Sequence, residues 1–362
     1  MWNVDGRERK KRRVVKMRKK GKCCPHVDVV LETEYPGRFL DVSKAPHATY
    51  RSTLMFCELA NKPISTHTHT HTGRKGERKT ALHWGQRKLL IAEIEFLTEY
   101  ADLELPVLYV GAAPGFHIDV LVRLFPSVKF ILVDPREIKT RPCQNIEIRR
   151  EVFCDESARD IAKNIGCVNF VSDIRSADWT THDEKGLEKE VWNDMSAQKR
   201  WHEILSPHCS MLKFRLPWNV RHSNYLKGVI MLPIWSTPTS TESRLVVLKE
   251  SNSKVIQYDN LKYCNQMFYF QTRTRVSMYE DGWCYDCISE KKVLARYLEI
   301  FASDGASIDE LSMYISKSLS CSRSIMDEAA DASKKVVSVA GTLKTGDPSK
   351  LSWDSLKKKS NK

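Results

Sequence analysis

The chain has 362 residues, of which 41% are hydrophobic and 28% are charged. This size and composition allow one large or two small domains with enough apolar side chains to fill a core. The formal net charge of +13 favours a polyanionic partner, most simply nucleic acid, although excess charge also serves solubility alone. No apolar run reaches the ~18 residues that a membrane helix needs, and the first residues lack the apolar segment of a secretion signal.

The cysteine and histidine patterns give little support for a metal site. The 11 cysteines are scattered, as in intracellular chains, so we expect free thiols. Cys284 and Cys287 form a C-x-x-C pair, but a second pair at zinc spacing is missing from the sequence. His67, His69 and His71 alternate with threonine, and a low-complexity loop is the better interpretation of that run. We therefore predict no resident metal.

Two polar segments precede the first predicted element of a fold. Residues 1–27 include a dense run of Lys and Arg, which predicts a disordered arm that binds nucleic acid, directs the chain to the nucleus, or is simply solvated. Residues 28–80 form an N-terminal extension and polar linker. We predict a main domain over residues 81–302 and a helical, then disordered, polar tail over residues 303–362.

Within the main domain, apolar runs typical of strands alternate with patterns typical of helices. The predicted strands are 107–110, 130–133, 145–148, 168–171, 210–214, 228–233 and 244–249, and the predicted helices are 82–100, 116–125, 189–205, 291–301 and 307–319. This alternation predicts an α/β, Rossmann-like fold with a mainly parallel central sheet and helices on both faces.

The first predicted strand ends in a glycine turn, Gly111-Ala112-Ala113-Pro114-Gly115. Small residues between a strand and a helix let backbone N–H groups approach a ligand closely. The second strand ends at Asp134, where a carboxylate can accept hydrogen bonds from ribose hydroxyls. Dinucleotide enzymes and S-adenosylmethionine (SAM) methyltransferases share this arrangement, and some ligand-free turns do too. The proline and the incomplete G-x-G-x-x-G pattern favour a methyltransferase.

Four polar residues occupy positions that a purely structural role does not explain: Lys88, Asp173, Lys213 and Glu242. Asp173 and Lys213 lie at predicted strand ends, on the rim of the sheet where ligands bind. Lys213 interrupts an apolar run, and a lysine there needs a partner because charged side chains are rarely buried unpaired. Each residue alone is most simply part of an ion pair. Together, at one rim, they favour catalysis.

This ordered set resembles the Lys–Asp–Lys–Glu tetrad of the FtsJ-like ribose 2′-O-methyltransferases. The sequence is most similar to the poxvirus-type cap-specific mRNA 2′-O-methyltransferases, a family that also stimulates poly(A) polymerase. Five stretches over roughly residues 82–279 carry the resemblance: 85–90 (GQRKLL), 109–118 (YVGAAPGFHI), 172–176 (SDIRS), 212–215 (LKFR) and 241–244 (TESR). The resemblance implies SAM-dependent methyl transfer to the 2′-hydroxyl of a cap-proximal nucleotide of mRNA.

The resemblance also implies a role for each member of the tetrad. Lys213 is the base, or the proton-sharing group, for the 2′-hydroxyl, and Lys88 raises the local positive potential. Asp173 and Glu242 orient the two lysines and the methyl donor. An amine can act as a base near neutrality only if burial and a neighbouring cation lower its pKa. This scheme requires no metal.

Further residues are implied in binding. The implied SAM pocket comprises the glycine turn and nearby strand ends: Gln86, Tyr109, Gly111, Ala113, Pro114, Gly115, Asp134, Arg136, Cys154 and Ile174. Arg175, Arg215 and Trp218 are the implied RNA contacts, with Trp218 matching one of two aromatics that sandwich m7G in the cap-specific relatives. Two acidic positions of those relatives are Val220 and Cys264 here, so the recognition of m7G stays open.

The expected partners are capped mRNA and, by the resemblance, other capping or polyadenylation enzymes, with no membrane. The expected compartment is the nucleus for a cellular protein and the cytoplasm for a poxvirus-like one. Two alternatives stay open. One is a 2′-O-methyltransferase of ribosomal or transfer RNA, and the other is a non-catalytic RNA-binding or polymerase-stimulating subunit on the same scaffold.

Overall fold

A computed structural model describes residue 56 and residues 82–141, 143–177, 182–236, 240–251, 254–275, 285–301 and 307–320. The predicted basic arm, the His-Thr run, Cys284 and the end of the polar tail lie outside these ranges. Within them, the structure contains no helix whose length and apolar content would suit a membrane span. The same ranges hold no group of three or more His, Cys, Asp or Glu side chains that could bind a metal ion.

The described residues form nine strands and seven α-helices. The strands are β1 (Val107–Val110), β2 (Phe130–Val133), β3 (Ile146–Arg149), β4 (Asn169–Ser172), β5 (Cys209–Phe214), β6 (His222–Leu226), β7 (Val229–Met231), β8 (Ser243–Leu248) and β9 (Val255–Asp259). The helices are α1 (Leu82–Glu99), α2 (Ile118–Leu124), α3 (Asp155–Asn164), α4 (Glu184–Leu205), α5 (Asn260–Tyr269), α6 (Tyr285–Phe301) and α7 (Ile308–Ser320). The sequence patterns did not predict α3, α5, β6 or β9.

The central sheet has seven strands in the order β3-β2-β1-β4-β5-β8-β7. Its first five strands are parallel, whereas β8 runs antiparallel to both β5 and β7. Strands β1, β2 and β4 are buried at every residue, as expected when helices cover both faces of a parallel sheet. The α/β, Rossmann-like fold predicted from the sequence is therefore confirmed. Strands β6 and β9 form a separate two-stranded sheet.

The strand order brings the predicted site residues to one place. The chain progresses outward in both directions from the neighbouring strands β1 and β4, which makes this pair the topological switch point of the sheet. Ligands of open α/β sheets bind at the carboxyl ends of the strands at such a point. The glycine turn follows β1, and Asp173 follows β4.

A buried ionic network holds helix α1 in place. The guanidinium of Arg87 donates through Nε to Glu290 of α6 at 2.8 Å and through Nη1 to Ser316 of α7 at 3.0 Å. Glu290 also accepts hydrogen bonds from Trp235 Nε1 at 2.7 Å and from the Ser312 hydroxyl at 3.1 Å. Arg87 and Glu290 are almost fully buried, so each charge relies on these partners. The C-terminal helices thus fix the position of the helix that carries the first tetrad lysine.

Candidate functional site

The four residues of the predicted tetrad meet at the carboxyl edge of the sheet. Lys88 comes from α1, Asp173 follows β4, Lys213 lies near the end of β5, and Glu242 directly precedes β8. Lys88 Nζ lies 2.8 Å from Glu242 Oε1. Lys213 Nζ lies 3.1 Å from Asp173 Oδ1 and 3.8 Å from Glu242 Oε2. The structure therefore brings together four residues that are up to 154 positions apart in sequence.

Two arginines complete this cluster. Arg244 is 4% exposed and bridges the two carboxylates, with Nη2 2.6 Å from Asp173 Oδ1 and Nη1 3.2 Å from Glu242 Oε1. Arg175 Nη2 contacts Glu242 Oε2 at 3.1 Å. The sequence analysis missed Arg244 as a site residue and expected Arg175 to contact substrate. Arg244 pairs with Lys213 in the β5–β8 register, which the spacing of residues in the sequence did not reveal.

The charges in this cluster shift one another's pKa values. Burial lowers the pKa of Lys213, the carboxylates of Asp173 and Glu242 oppose that shift, and Arg175 and Arg244 add to it. Burial alone would raise the pKa of Asp173, but the cations of Lys213 and Arg244 outweigh it and the pKa is lowered. The pKa of Glu242 is held well below its ordinary value of 4.5, because its cationic neighbours likewise outweigh burial. Both carboxylates are therefore ionised at neutral pH, and the lysine loses its proton more readily than in water.

The glycine turn lies against the start of the loop that carries Asp173. Gly111 has a φ of +83°, and a Cβ atom there would lie 2.8 Å from backbone atoms of Asp173 and Ile174. Gly115 has a φ of +69° and faces the carbonyl oxygen of Ala112 equally closely. A larger residue at Gly111 would force the two segments apart, and a larger residue at Gly115 would clash within the turn itself. The predicted ligand-binding turn, with its cis Ala113–Pro114 peptide bond, is thus packed directly beside the tetrad.

Asp134 follows β2 and faces the same turn. Its Oδ2 accepts the backbone N–H of Ala113 at 3.1 Å, and its Oδ1 accepts the backbone N–H of Arg136 at 2.9 Å. Burial alone would raise the pKa of Asp134, but hydrogen bonds from Arg136 outweigh it and lower the pKa. The side chain of Arg136 is 70% exposed, so it can move away and leave the carboxylate oxygens of Asp134 accessible to a ligand. Cys154, at the N-cap of α3, is exposed on the same edge of the sheet.

Gln86 and Tyr109 belong to a buried polar chain beneath the turn. The Tyr109 hydroxyl donates to Glu93 Oε1 at 2.7 Å. Gln86 Oε1 accepts the backbone N–H of His117 at 3.2 Å and lies 2.8 Å from His117 Nδ1. Burial and the Glu93 carboxylate raise the pKa of Tyr109, so its hydroxyl stays protonated. In the structure both predicted SAM ligands contact protein groups, and their contact with a cofactor stays a prediction.

Trp218 and Arg215 form a stacked pair near the tetrad. The guanidinium of Arg215 lies 4.1 Å from the centre of the Trp218 ring and also forms an ion pair with Glu188 of α4. The backbone N–H of Trp218 donates to Glu188 Oε2 at 2.9 Å, and Trp218 Nε1 donates to Thr241 Oγ1 at 3.3 Å. Thr241 directly precedes Glu242. This chain of contacts connects the predicted RNA-binding residues to the reaction centre, and it includes Glu188, which the sequence analysis missed.

The two positions at which the resemblance implied acidic residues, Val220 and Cys264, carry no charge in this chain. Val220 is 46% exposed beyond Trp218. Burial raises the pKa of the Cys264 thiol to about 12, so it remains neutral at physiological pH. Neither residue can accept a hydrogen bond from a base edge as strongly as a carboxylate would.

Comparisons with known proteins agree with the geometry. The sequence matches the family described as Poly A polymerase regulatory subunit over residues 51–340. It is 27% identical over 213 residues to the cap-specific mRNA (nucleoside-2′-O-)-methyltransferase of Fowlpox virus (strain NVSL), covering 53% of this chain and 68% of the relative. The protein of the same name from Myxoma virus (strain Lausanne) is 28% identical over 210 residues, covering 52% of this chain and 60% of the relative.

A more distant structural similarity involves bluetongue virus VP4, which is described as a multifunctional RNA-capping production line. The TM-score is 0.40 at 13% identity, over 49% of this chain and 30% of that chain. The family match is different in kind, because it extends over well more than half of the sequence. The chain belongs to the poly A polymerase regulatory subunit family.

Proposed function

We propose that this protein transfers a methyl group from SAM to the ribose 2′-hydroxyl of a cap-proximal nucleotide of mRNA. The observation that carries the proposal is the meeting of Lys88, Asp173, Lys213 and Glu242 beside the glycine turn of a Rossmann-like sheet. The names of the viral relatives support the same reaction. We also propose that residues 81–302 contain the catalytic domain.

The residues around the turn fit a nucleoside cofactor. The glycines at 111 and 115 allow the tight backbone of the turn, and Asp134 supplies an ionised carboxylate beside it. When bound, SAM supplies an electrophilic methyl group on a sulfonium. The protein's own task is then to hold the 2′-hydroxyl in line with that methyl group and to remove its proton.

Lys213 is placed to remove that proton. Its Nζ lies between carboxylate oxygens of Asp173 and Glu242, and its lowered pKa increases the fraction of neutral amine. With SAM bound, the neutral amine of Lys213 would take the proton of the 2′-hydroxyl as the methyl group passes to that oxygen. The two carboxylates then stabilise the lysine ammonium that results. Lys88, bound to Glu242 at 2.8 Å, keeps that carboxylate oriented.

Replacing Asp134 with alanine should weaken SAM binding by roughly 10- to 100-fold, because a charge-assisted hydrogen bond to the ribose would be lost. Isothermal titration calorimetry measures this directly. Asp259→Ala is a matched control, since Asp259 also binds a backbone N–H and an arginine but lies on the separate two-stranded sheet. Unchanged SAM affinity in the Asp134 variant would place the ribose elsewhere.

Trp218 is the proposed platform for the cap guanine. The guanidinium of Arg215 covers one face of its ring at 4.1 Å, so a methylated base must stack on the opposite face or displace the arginine. Regulation of a poly(A) polymerase, which the family description names, is a second candidate function. It does not depend on the amine of Lys213 and can coexist with methyl transfer.

A methyl-transfer assay with capped and uncapped forms of one short RNA tests the proposed function. Radiolabelled methyl groups should appear in the capped RNA, and nuclease digestion should locate them on a cap-proximal ribose. An RNA with a 2′-deoxy nucleotide at that position is the matched control and should accept none. Transfer that ignores the cap would favour a ribosomal or transfer RNA substrate. Complete absence of transfer to any of these RNAs would favour the non-catalytic RNA-binding subunit.

A further inference from the structure

The backbone of Lys213 is held by one side chain from helix α4. The amide of Gln198 donates through Nε2 to the carbonyl oxygen of Lys213 at 3.0 Å. In return, the N–H of Lys213 donates to Gln198 Oε1 at 3.1 Å. Gln198 is 1% exposed, so neither bond competes with bulk water. A single glutamine therefore satisfies both backbone polar groups of the proposed base.

The sheet explains why Lys213 needs this contact. The last residue pair between β4 and β5 is Ser172 with Leu212, and Lys213 lies one residue beyond it. On its other side Lys213 faces Arg244 of the antiparallel strand β8. In an antiparallel pair the N–H and C=O of one residue point to the same side, and both groups of Lys213 reach Gln198. They therefore point away from β8, toward the side on which β4 has already ended.

Asp173 continues the pairing with β1, because its N–H donates to the carbonyl oxygen of Val110 at 2.9 Å, while its carboxylate lies 3.1 Å from the ammonium of Lys213. A parallel ladder would bond Lys213 to the two residues that flank its partner, but the pairing of β4 with β5 ends at Ser172. Gln198 therefore holds the backbone of Lys213, from a helix, at the point where pairing with β4 ends.

We propose that Gln198 is a positioning residue that sets the location of the Lys213 amine. This inference rests on the proposed function, in which Lys213 is the base. The distances from Lys213 Nζ to the carboxylates of Asp173 and Glu242 are 3.1 and 3.8 Å, so a backbone shift of about 1 Å would change which contacts form. The predicted SAM-binding turn follows β1, a different strand, and does not contact Gln198 in the bonds described.

The test compares two Gln198 variants with a control variant, Ser210→Ala, which removes a different contact between helix α4 and strand β5. Gln198→Leu removes both hydrogen bonds, and we expect the single-turnover rate to fall roughly 10- to 100-fold with unchanged SAM affinity. We expect the amide proton of Lys213 to exchange faster with solvent. Ser210→Ala removes the buried contact of Ser210 with His202, which also joins β5 to α4, at 2.7 Å. That control should leave both the rate and the Lys213 amide unchanged.

Gln198→Glu gives a second readout that does not depend on the leucine variant folding. An ionised carboxylate can accept the N–H of Lys213 but cannot donate to its carbonyl, whereas a protonated carboxyl can do both. The rate of this variant, divided by the wild-type rate at the same pH, should therefore rise as pH falls. A ratio that does not change with pH would overturn the inference.

The remaining outcomes separate this inference from the proposed function. A wild-type rate in Gln198→Leu, or an equal loss of rate in Ser210→Ala, would overturn the positioning role. If the wild-type protein methylates no RNA, the proposed function fails. Faster exchange at the Lys213 amide in Gln198→Leu would then still support the backbone contact, and unchanged exchange would overturn it.

Discussion

Replacing Lys213 with methionine should lower the rate of methyl transfer by roughly 10²- to 10⁴-fold, the usual contribution of a general base. Methionine keeps most of the side-chain volume but has no amine to receive the 2′-hydroxyl proton. The affinity for SAM should stay nearly unchanged, because the predicted cofactor residues surround the glycine turn after β1. Single-turnover kinetics measure the rate, and calorimetry measures the SAM affinity.

The control for this experiment is Lys199→Met, which makes the same chemical change on helix α4. Among the ion pairs described, Lys199 pairs only with Glu203, at 2.8 Å near the protein surface. It should transfer methyl groups at the wild-type rate. Lys213→Met should also retain any stimulation of poly(A) polymerase. Loss of SAM affinity together with activity would contradict the assigned role, since it would make Lys213 a cofactor ligand or a structural residue.

The pH dependence of the wild-type rate tests the same assignment. A general base must be neutral, so the rate should rise with pH as Lys213 loses its proton. Burial lowers the pKa of Lys213 below its ordinary value of 10.5, so the rise should be centred below that pH. Lys213→Arg keeps a cation that stays protonated, and its residual rate should be low at every pH. A wild-type rate that does not change with pH would argue that Lys213 orients the hydroxyl without accepting its proton.

The sequence predicted the parallel half of the sheet well, because its strands are buried on both faces and read as uninterrupted apolar runs. The sequence patterns missed elements whose burial depends on contacts with distant parts of the chain. Helix α3 buries only Ala158 and Ile161, too few apolar residues for a clear helical pattern. Strand β9 exposes Val255 and Ile256 and lacks strand-like alternation. Helix α6 begins at Tyr285 instead of residue 291, with Asp286 fully buried against Arg275 at 3.1 Å.

The candidate site was predicted by the residues that interrupt apolar patterns. Lys213 stands out in β5 because a cation there contradicts its neighbours, and Asp173 stands out at the end of β4. Arg244 and Gln198 gave no such signal. Arg244 follows a polar segment, and Gln198 lies in a helix rich in polar side chains. Their importance depends on strand register and on the early end of β4, which the spacing of residues in one sequence does not encode.

Replacing Glu242 with glutamine should lower the free energy of unfolding by about 3–5 kcal/mol, the usual cost of breaking a buried ion pair. Its carboxylate contacts Lys88, Lys213, Arg175 and Arg244, all within 4 Å. Glutamine has nearly the same shape but no charge, so these cations would face one another with only Asp173 and, for Arg175, Asp194 at 3.8 Å to offset them among the ion pairs described. Methyl transfer should be lost as well, because Lys88 and Lys213 would lose their common partner.

The pH dependence distinguishes lost charge from disturbed packing. The folded protein holds the pKa of Glu242 well below its ordinary value of 4.5, so its contribution to stability is fully present above that value. The contribution is lost as pH falls through the lower, folded-state pKa. Urea denaturation should therefore show a constant difference between wild type and Glu242→Gln from pH 7 to about 5, and a shrinking difference below 4.5.

A matched control is Glu299→Gln, which removes an exposed carboxylate that pairs with Arg296 on helix α6. That change should leave the free energy of unfolding nearly unchanged, because exposed ion pairs are screened by water. A stability difference for Glu242→Gln that persists unchanged into acid would mean that the amide perturbs packing. In that case the carboxylate would not hold the cations of the cluster together, and the electrostatic account of Lys213 would lose its main support.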